Sequence, residues 1–191
     1  MDSSLDIIVA EIRQRVETLK RMGRTDLILQ SVGVSTVEEL RKEAAKQQLS
    51  RLVITPDYRF LLADLDKEVD LLPLHKAVYL LFLNHPEGIE FKNMIEYKQE
   101  LHNLYCKITN RMDLDKIEES IDRLTNPLDN AINEKCSRIK KAFADLMDPY
   151  AASFYAISSH VHQPLATTGK VWYRRLKVIK LPRHLVEFQT N

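Results

Sequence analysis

The chain has 191 residues, of which 45% are hydrophobic and 29% are charged. This hydrophobic fraction is too high for a disordered protein, and four glycines with seven prolines exclude collagen-like and linker-rich classes. The longest wholly apolar run, from Ala77 to Leu83, is far shorter than the ~20 residues of a membrane span. Two cysteines cannot build a disulfide framework, so we expect a reducing, cytoplasmic setting.

The net charge of +1 conceals an uneven distribution of charged residues. Residues 170–183 contain six basic side chains and no acidic one, whereas residues 57–70 contain five acidic side chains and two basic ones. A basic segment of this kind suits an anionic partner. The alternative is that both segments are solvated surfaces of an ordinary globular domain.

Residues 1–50 are predicted to form a helical unit. Apolar side chains from Leu5 to Leu19 recur at the spacing of one helical face, and a short second helix follows. Ser35 and Glu38, three residues apart, are typical of a capping box that opens a third helix. The first helix is amphipathic and charged on its outer face, which suits pairing with a second copy of the chain or with another protein.

Beyond residue 50 the pattern changes to short strands and then returns to helices. Three short strands that form an antiparallel meander are expected at 51–55, 59–65 and 69–72. Four helices are then predicted at 74–84, 90–108, 113–124 and 127–147, with Asp113 as a candidate N-cap. The tail is predicted to contain two or three short strands, at 154–157, 171–173 and 176–181, with a long loop at 158–169.

The helix predicted at 127–147 has a strong start signal. Asn126 is a favoured N-cap residue, and Pro127 suits the first helical turn. Its apolar stripe, which we expect to be buried, consists of Leu128, Ile132, Cys136, Ile139, Phe143 and Leu146. The position of Cys136 on this stripe indicates a small buried hydrophobe rather than a nucleophile. The helix is expected to end at Asp148-Pro149.

The order of these elements resembles a winged helix-turn-helix domain, in the variant found in the output domains of OmpR/PhoB-type response regulators. In that variant a small antiparallel sheet precedes the first helix and a Pro-Gly turn opens the second, as in VDLLPLHKAVYLLFLNHPEGIEFKNMIEY at 69–97. The resemblance implies a recognition helix in NPLDNAINEKCSRIKKAF, residues 126–143, and a wing in the hairpin at 154–181. The chain departs from the pattern in its extra helix at 113–124, and residues 1–50 lack the strands and acidic cluster of a receiver domain.

The predicted fold class is therefore α+β and mostly helical, with a helical N-terminal unit at 1–50 and a winged-helix-like domain at 51–191 that ends in a β-hairpin. The predicted function is double-stranded DNA binding in transcription regulation, with possible homodimers formed through the N-terminal helix. The candidate nucleic-acid-binding residues are Asn130, Asn133, Lys135, Ser137, Arg138, Lys141, Lys170, Arg174, Arg175 and Lys177. Asparagine can pair with adenine and arginine with guanine, while lysine and serine commonly meet phosphate.

The alternative function is a protein-interaction module, or a subunit of a larger assembly, that uses the same fold without nucleic acid. Glu134 and Asp129 lie on the candidate recognition helix, where each would face phosphate with the wrong sign. The near-zero net charge is also low for a small DNA-binding domain.

The sequence contains no motif of an enzyme or a cofactor site. Its four glycines are scattered at 23, 33, 88 and 169, so they form no phosphate-binding loop. His160 and His162 could begin a metal site, but neither a paired-cysteine motif nor an acidic cluster lies near them in the sequence. We therefore predict no catalysis, no metal, no cofactor and no membrane partner.

Overall fold

The computed structural model describes residues 3–109, 113–162 and 174–190. The chain divides into two compact units, residues 1–47 and residues 48–191. The predicted fold class, α+β and mostly helical, is confirmed. Across these described ranges, no helix combines the length and the apolar character that a bilayer crossing requires.

The first unit consists of three consecutive helices, α1 (Ser3–Arg21), α2 (Thr25–Val32) and α3 (Val34–Lys46). The predicted capping box is wrong, because α3 begins at Val34 and Ser35 therefore lies inside its first turn. Gly33 is both the C-cap of α2 and the N-cap of α3. Its φ is +82°, a value that glycine adopts without strain. Within the described part of this unit, Ala45 is the only buried hydrophobic residue, so the three helices share almost no core.

The second unit contains a four-stranded sheet, whose strands lie in the order β3 (Lys67–Glu68), β2 (Phe60–Leu62), β1 (Leu52–Ile54) and β6 (Val186–Phe188). The predicted meander is confirmed: β1 (Leu52–Ile54) pairs antiparallel with β2 (Phe60–Leu62), and β2 with β3 (Lys67–Glu68). The third strand was predicted at 69–72 and lies just before that range. The fourth strand, β6 (Val186–Phe188), runs parallel to β1 and was not predicted.

The described part of this unit also contains five α-helices: α4 (Pro73–Asn84), α5 (Lys98–Ile108), α6 (Leu114–Thr125), α7 (Ala131–Ala144) and α8 (Pro149–Tyr155). The buried helix predicted after Pro73 is confirmed, since every α4 residue from Ala77 to Leu83 is at most 4% exposed. The single helix predicted at 90–108 is wrong. A 3-10 helix at Phe91–Tyr97 precedes α5, and Tyr97 itself leaves the helical region at φ −100° and ψ 6°.

A row of aromatic rings joins the elements of the second unit. Phe60, Tyr79, Phe143 and Tyr155 follow one another with centroid separations of 5.6, 5.4 and 5.1 Å. The row connects β2, α4, α7 and α8, and the hydroxyl of Tyr155 donates a 2.6 Å hydrogen bond to the carbonyl of Ser50. These contacts hold α7 against the core by one face and leave its other face to solvent.

The segment after α7 differs most from the prediction. Asp148 begins α8 rather than ending α7, because its carboxylate accepts hydrogen bonds from the amides of Tyr150 and Ala151. Phe154, predicted in a strand, consequently lies in α8.

A two-stranded antiparallel hairpin of β4 (Ile157–His162) and β5 (Arg174–Ile179) follows α8. The predicted hairpin is thus confirmed, although residues 158–162 belong to its first strand and not to a loop. The rest of the predicted loop and the strand predicted at 171–173 lie outside the described residues.

Candidate nucleic-acid interface

The turn before α7 places the helix start four residues later than predicted. The side chain of Asn126 accepts a hydrogen bond from the amide of Leu128 (3.0 Å), and that of Asp129 accepts from the amide of Ala131 (2.9 Å). These side chains close a turn where the prediction extended the helix. Leu128 was predicted to be buried but is 95% exposed. The reason is that α7 begins only at Ala131, so Leu128 lies in the preceding turn and not on the apolar face of the helix.

α7 has one buried face and one exposed face. The buried face consists of Ala131, Ile132, Cys136, Ile139 and Phe143. The exposed face, which covers an arc of about 160° at about 100° per residue, consists of Asn133, Glu134, Ser137, Arg138, Lys140, Lys141 and Ala144. Four predicted site residues, Asn133, Ser137, Arg138 and Lys141, therefore share one solvent-facing surface, which we call the α7 face.

Two asparagine amides lie together at the start of the α7 face. The Asn133 side-chain nitrogen donates a 3.0 Å hydrogen bond to the side-chain oxygen of Asn130, which immediately precedes the helix. Among the described residues, the oxygen of Asn133 and the nitrogen of Asn130 have no further partner. The pair therefore presents an acceptor and a donor to solvent, the combination that recognises an adenine edge. Ser137 instead uses its hydroxyl to donate to the carbonyl of Asn133 (2.9 Å).

The α7 face carries an excess of positive charge. Arg138, Lys140 and Lys141 contribute three positive charges against the one negative charge of Glu134. In the part of the chain that the structure describes, none of these three basic side chains has a carboxylate at ion-pair distance. Asp129 is paired with Arg123 (Nε–Oδ2 3.2 Å), and this contact lowers the pKa of Asp129. One of the two acids that opposed DNA binding is therefore partly neutralised within the chain.

Lys135 lies at the edge of the α7 face and is half-buried. It lines a groove of about 310 Å³ between α6 and α7, in which the charges are mixed: Lys116, Glu119, Arg123, Glu134 and Lys135. Burial, followed by the charges of Lys135 and Arg138, lowers the pKa of His75, so this buried ring is neutral at neutral pH. Because Lys135 is half-buried in this groove, it is less available to an external ligand than the exposed side chains of the α7 face.

The predicted residues of the hairpin differ in their availability. Arg175 is exposed on β5, whereas Lys177 is half-buried with its ammonium 4.8 Å from the centre of the Phe91 ring. This cation–π contact helps to hold the hairpin on the helices. Lys170 lies outside the described residues. Arg174 begins β5, and its side chain is also outside the described set.

The hairpin is joined to the connection between α4 and α5. The amide of Ile89 donates to the carbonyl of Lys177 (3.0 Å), and the amide of Lys177 donates back to Ile89 (2.8 Å), which forms an antiparallel bridge. Gly88 precedes this bridge with φ 92°, and a Cβ there would lie only 2.6 Å from Cγ1 of Val178. Glycine is therefore required for the approach of these two segments.

Sequence reasoning left one exposed lysine out of the candidate set. Lys140 lies at the edge of the α7 face, about 70° from the centre of the buried stripe at about 100° per residue, and its side chain is exposed.

Sequence reasoning also counted Arg183 among the basic residues that suit an anionic partner. Its guanidinium donates to the carbonyl of Leu83 at the C-terminal end of α4, so this charge is used inside the fold.

Comparisons with known proteins give no match: a scan of family models, a search of curated sequences and a search of solved structures each return no significant similarity to this chain.

Proposed function

We propose that the second unit is a winged-helix-like module that binds duplex DNA through the α7 face and the β4–β5 hairpin. The observation that carries the proposal is the α7 face, which combines two adjacent amides with three basic side chains on a helix anchored by its opposite side. The 14 residues of α7 span about 21 Å. A helix of these dimensions fits the major groove of B-DNA.

The tethering of the hairpin also supports the proposal. The Ile89–Lys177 bridge fixes β5 to the turn between α4 and α5. Strand β4, which pairs with β5, packs against α7. A hairpin held in this way would contact the backbone of a duplex that occupies the α7 face.

The side chains of the α7 face suggest a division of roles. The amides of Asn130 and Asn133 would read adenine, and Arg138 would contact guanine or phosphate. Lys140, Lys141 and the exposed Arg175 would neutralise phosphates. Glu134 is compatible with a base contact, since a carboxylate can accept a hydrogen bond from cytosine N4.

Transcription regulation is the proposed biological role of this DNA binding. The free thiols of Cys106 and Cys136 suit the reducing environment of the cytoplasm, where the chain would act.

The test is a titration of the purified full chain with random duplex DNA over a series of salt concentrations. We expect log affinity to fall linearly with log salt, by about 0.9 for each phosphate neutralised. The double variant Arg138→Glu, Lys141→Glu should abolish binding and leave the circular dichroism spectrum unchanged, because both side chains are exposed. Lys107→Glu, an exposed lysine in the last turn of α5, is the matched control and should retain binding.

Absence of binding at low salt, or an equal loss in the Lys107→Glu control, would contradict the proposal.

The second candidate, a protein-interaction module, is favoured by the 95% exposure of Leu128 on a turn closed by hydrogen bonds. Covering this side chain with an apolar surface of a protein partner would remove it from water, which is favourable. In that case Leu128→Ala, and not the charge reversals, would disrupt complex formation.

A further inference from the structure

Helix α1 exposes a continuous apolar stripe. Its large apolar residues Leu5, Ile8, Val9 and Ile12 are between 49% and 60% exposed. At about 100° per residue they fall, together with the half-buried Val16 and Leu19, within an arc of about 100°. The adjacent helix α2 buries none of its own residues, so it offers no core for this stripe. Covering such a surface with a second apolar surface lowers the free energy of the system.

The spacing of this stripe is that of a coiled coil. Leu5, Val9, Ile12, Val16 and Leu19 are separated by four, three, four and three residues, which is a heptad repeat with alternating core positions. Valine occupies one core position, and leucine or isoleucine occupies the other. This pattern is typical of a helix that packs against a similar helix by inserting its side chains between those of the partner.

The charges beside the stripe distinguish a parallel from an antiparallel partner. In a parallel pair, Arg15 of one copy would flank Lys20 of the other, and this repulsion would occur twice. In an antiparallel pair that packs Val9 against Ile12 of the other copy, Asp6 lies beside Arg13 of the other copy on both sides of the two-fold axis. The charge pattern therefore complements an antiparallel second copy.

We propose that the chain self-associates through α1 as an antiparallel two-stranded coiled coil, with Val9 packed on Ile12 and Asp6 beside Arg13 of the second copy. The helix has 19 residues and is about 28 Å long, so the interface is small. Short helices have marginal stability on their own, and small interfaces bind weakly. We therefore expect a reversible association with a dissociation constant in the micromolar range. This proposal does not depend on DNA binding.

The test of the interface is sedimentation of the full chain from low micromolar to several hundred micromolar concentration, without DNA. We expect a concentration-dependent monomer–dimer equilibrium. Ile12→Gln, on the stripe, should raise the dissociation constant by at least about tenfold. Ile7→Gln is the matched control, because Ile7 is equally exposed (60% against 58%) but lies off the stripe. It should leave the equilibrium unchanged.

The test of the orientation is a charge exchange across the pair. Asp6→Lys should weaken association about threefold to tenfold, since two attractive pairs become repulsive, and addition of Arg13→Glu should restore it. In a parallel pair Asp6 and Arg13 of the two copies lie seven residues apart along the axis, so addition of Arg13→Glu would not compensate Asp6→Lys. A monomer at every concentration, an equal effect of Ile7→Gln and Ile12→Gln, or an unaltered Asp6→Lys dimer would each overturn the proposal.

Discussion

At the scale of single residues, His85 has an arrangement that makes it sensitive to pH. Its ring nitrogens lie 2.9 Å from Oε1 of Glu87 and 2.7 Å from Oε2 of Glu100, and the ring packs edge-on against Tyr97. Ionised carboxylates only accept hydrogen bonds, so both contacts are satisfied when the ring is protonated and both of its nitrogens donate. Partial burial opposes this charge, but the hydrogen bonds to Glu100 and Glu87 outweigh it and raise the pKa of His85.

We expect the contribution of His85 to stability to depend on pH. Its pKa is higher in the folded chain than in the unfolded chain, so the stabilisation is fully present below the unfolded pKa of about 6.5 and is lost as pH rises through the folded pKa. The difference in free energy of unfolding between the native chain and His85→Gln should therefore shrink as pH increases. Urea denaturation from about pH 5.5 to about pH 9 measures this difference.

A matched variant tests whether the two carboxylates cause the effect. Replacing both Glu87 and Glu100 with glutamine should abolish or reverse the decrease of the His85→Gln difference with pH, because the burial that lowers the pKa of His85 is then no longer outweighed. A difference that stays constant over the whole pH range in the native background would contradict the assignment.

At the scale of secondary structure elements, α8 depends on one side chain. The Asp148 carboxylate accepts from the amides of Tyr150 (2.8 Å) and Ala151 (3.4 Å), and Pro149 occupies the first helical turn. The helix has only seven residues, and it carries Tyr155 into the aromatic row. A short helix without its cap would lose order, and the hydrogen bond from Tyr155 to Ser50 would weaken with it.

We expect Asp148→Ala to destabilise the second unit by about 0.5–2 kcal/mol, the usual cost of removing an N-cap. Asp148→Asn keeps a side-chain acceptor and should remain close to the native value. Chemical denaturation of the three proteins gives the comparison. If Asp148→Asn loses as much stability as Asp148→Ala, the effect is electrostatic and the capping interpretation is wrong.

At the scale of the whole molecule, the two units differ in how they are stabilised. A single buried cluster of the second unit extends from Leu52 to Leu181 and includes most of α4. In the described part of the first unit, only Ala45 among the hydrophobic residues is buried. Since burial of apolar surface is the main source of folding free energy, we expect the units to differ in autonomy.

We expect residues 48–191 expressed alone to unfold cooperatively, with a melting temperature close to that of the main transition of the full chain. Residues 1–47 alone should show low helicity at low concentration, which rises as the chains associate, because short isolated helices are marginal. Circular dichroism over a range of temperatures and concentrations measures both properties. A broad, non-cooperative transition of residues 48–191 would show that the first unit supports the core.

Features that arise within a few residues were predictable from the sequence. The apolar period identified α1 and α6, and a continuous apolar run identified α4. Asp113 caps α6 as expected by accepting a hydrogen bond from the amide of Lys116. The same period also placed Asn133, Ser137, Arg138 and Lys141 on one face of a helix. These predictions succeed because helix formation and side-chain phase are properties of neighbouring residues.

Other features required segments that are far apart in the chain to meet. The sequence carries no sign that β6 pairs with β1, that Ile89 bridges to Lys177, or that Glu100 reaches His85. The burial expected for Leu128 was wrong for a related reason, since hydrogen bonds in its own turn overrode the helical period. Periodicity shows which side of an element is apolar, whereas long-range packing determines what covers that side. For the stripe of α1, the described residues of the first unit supply no cover.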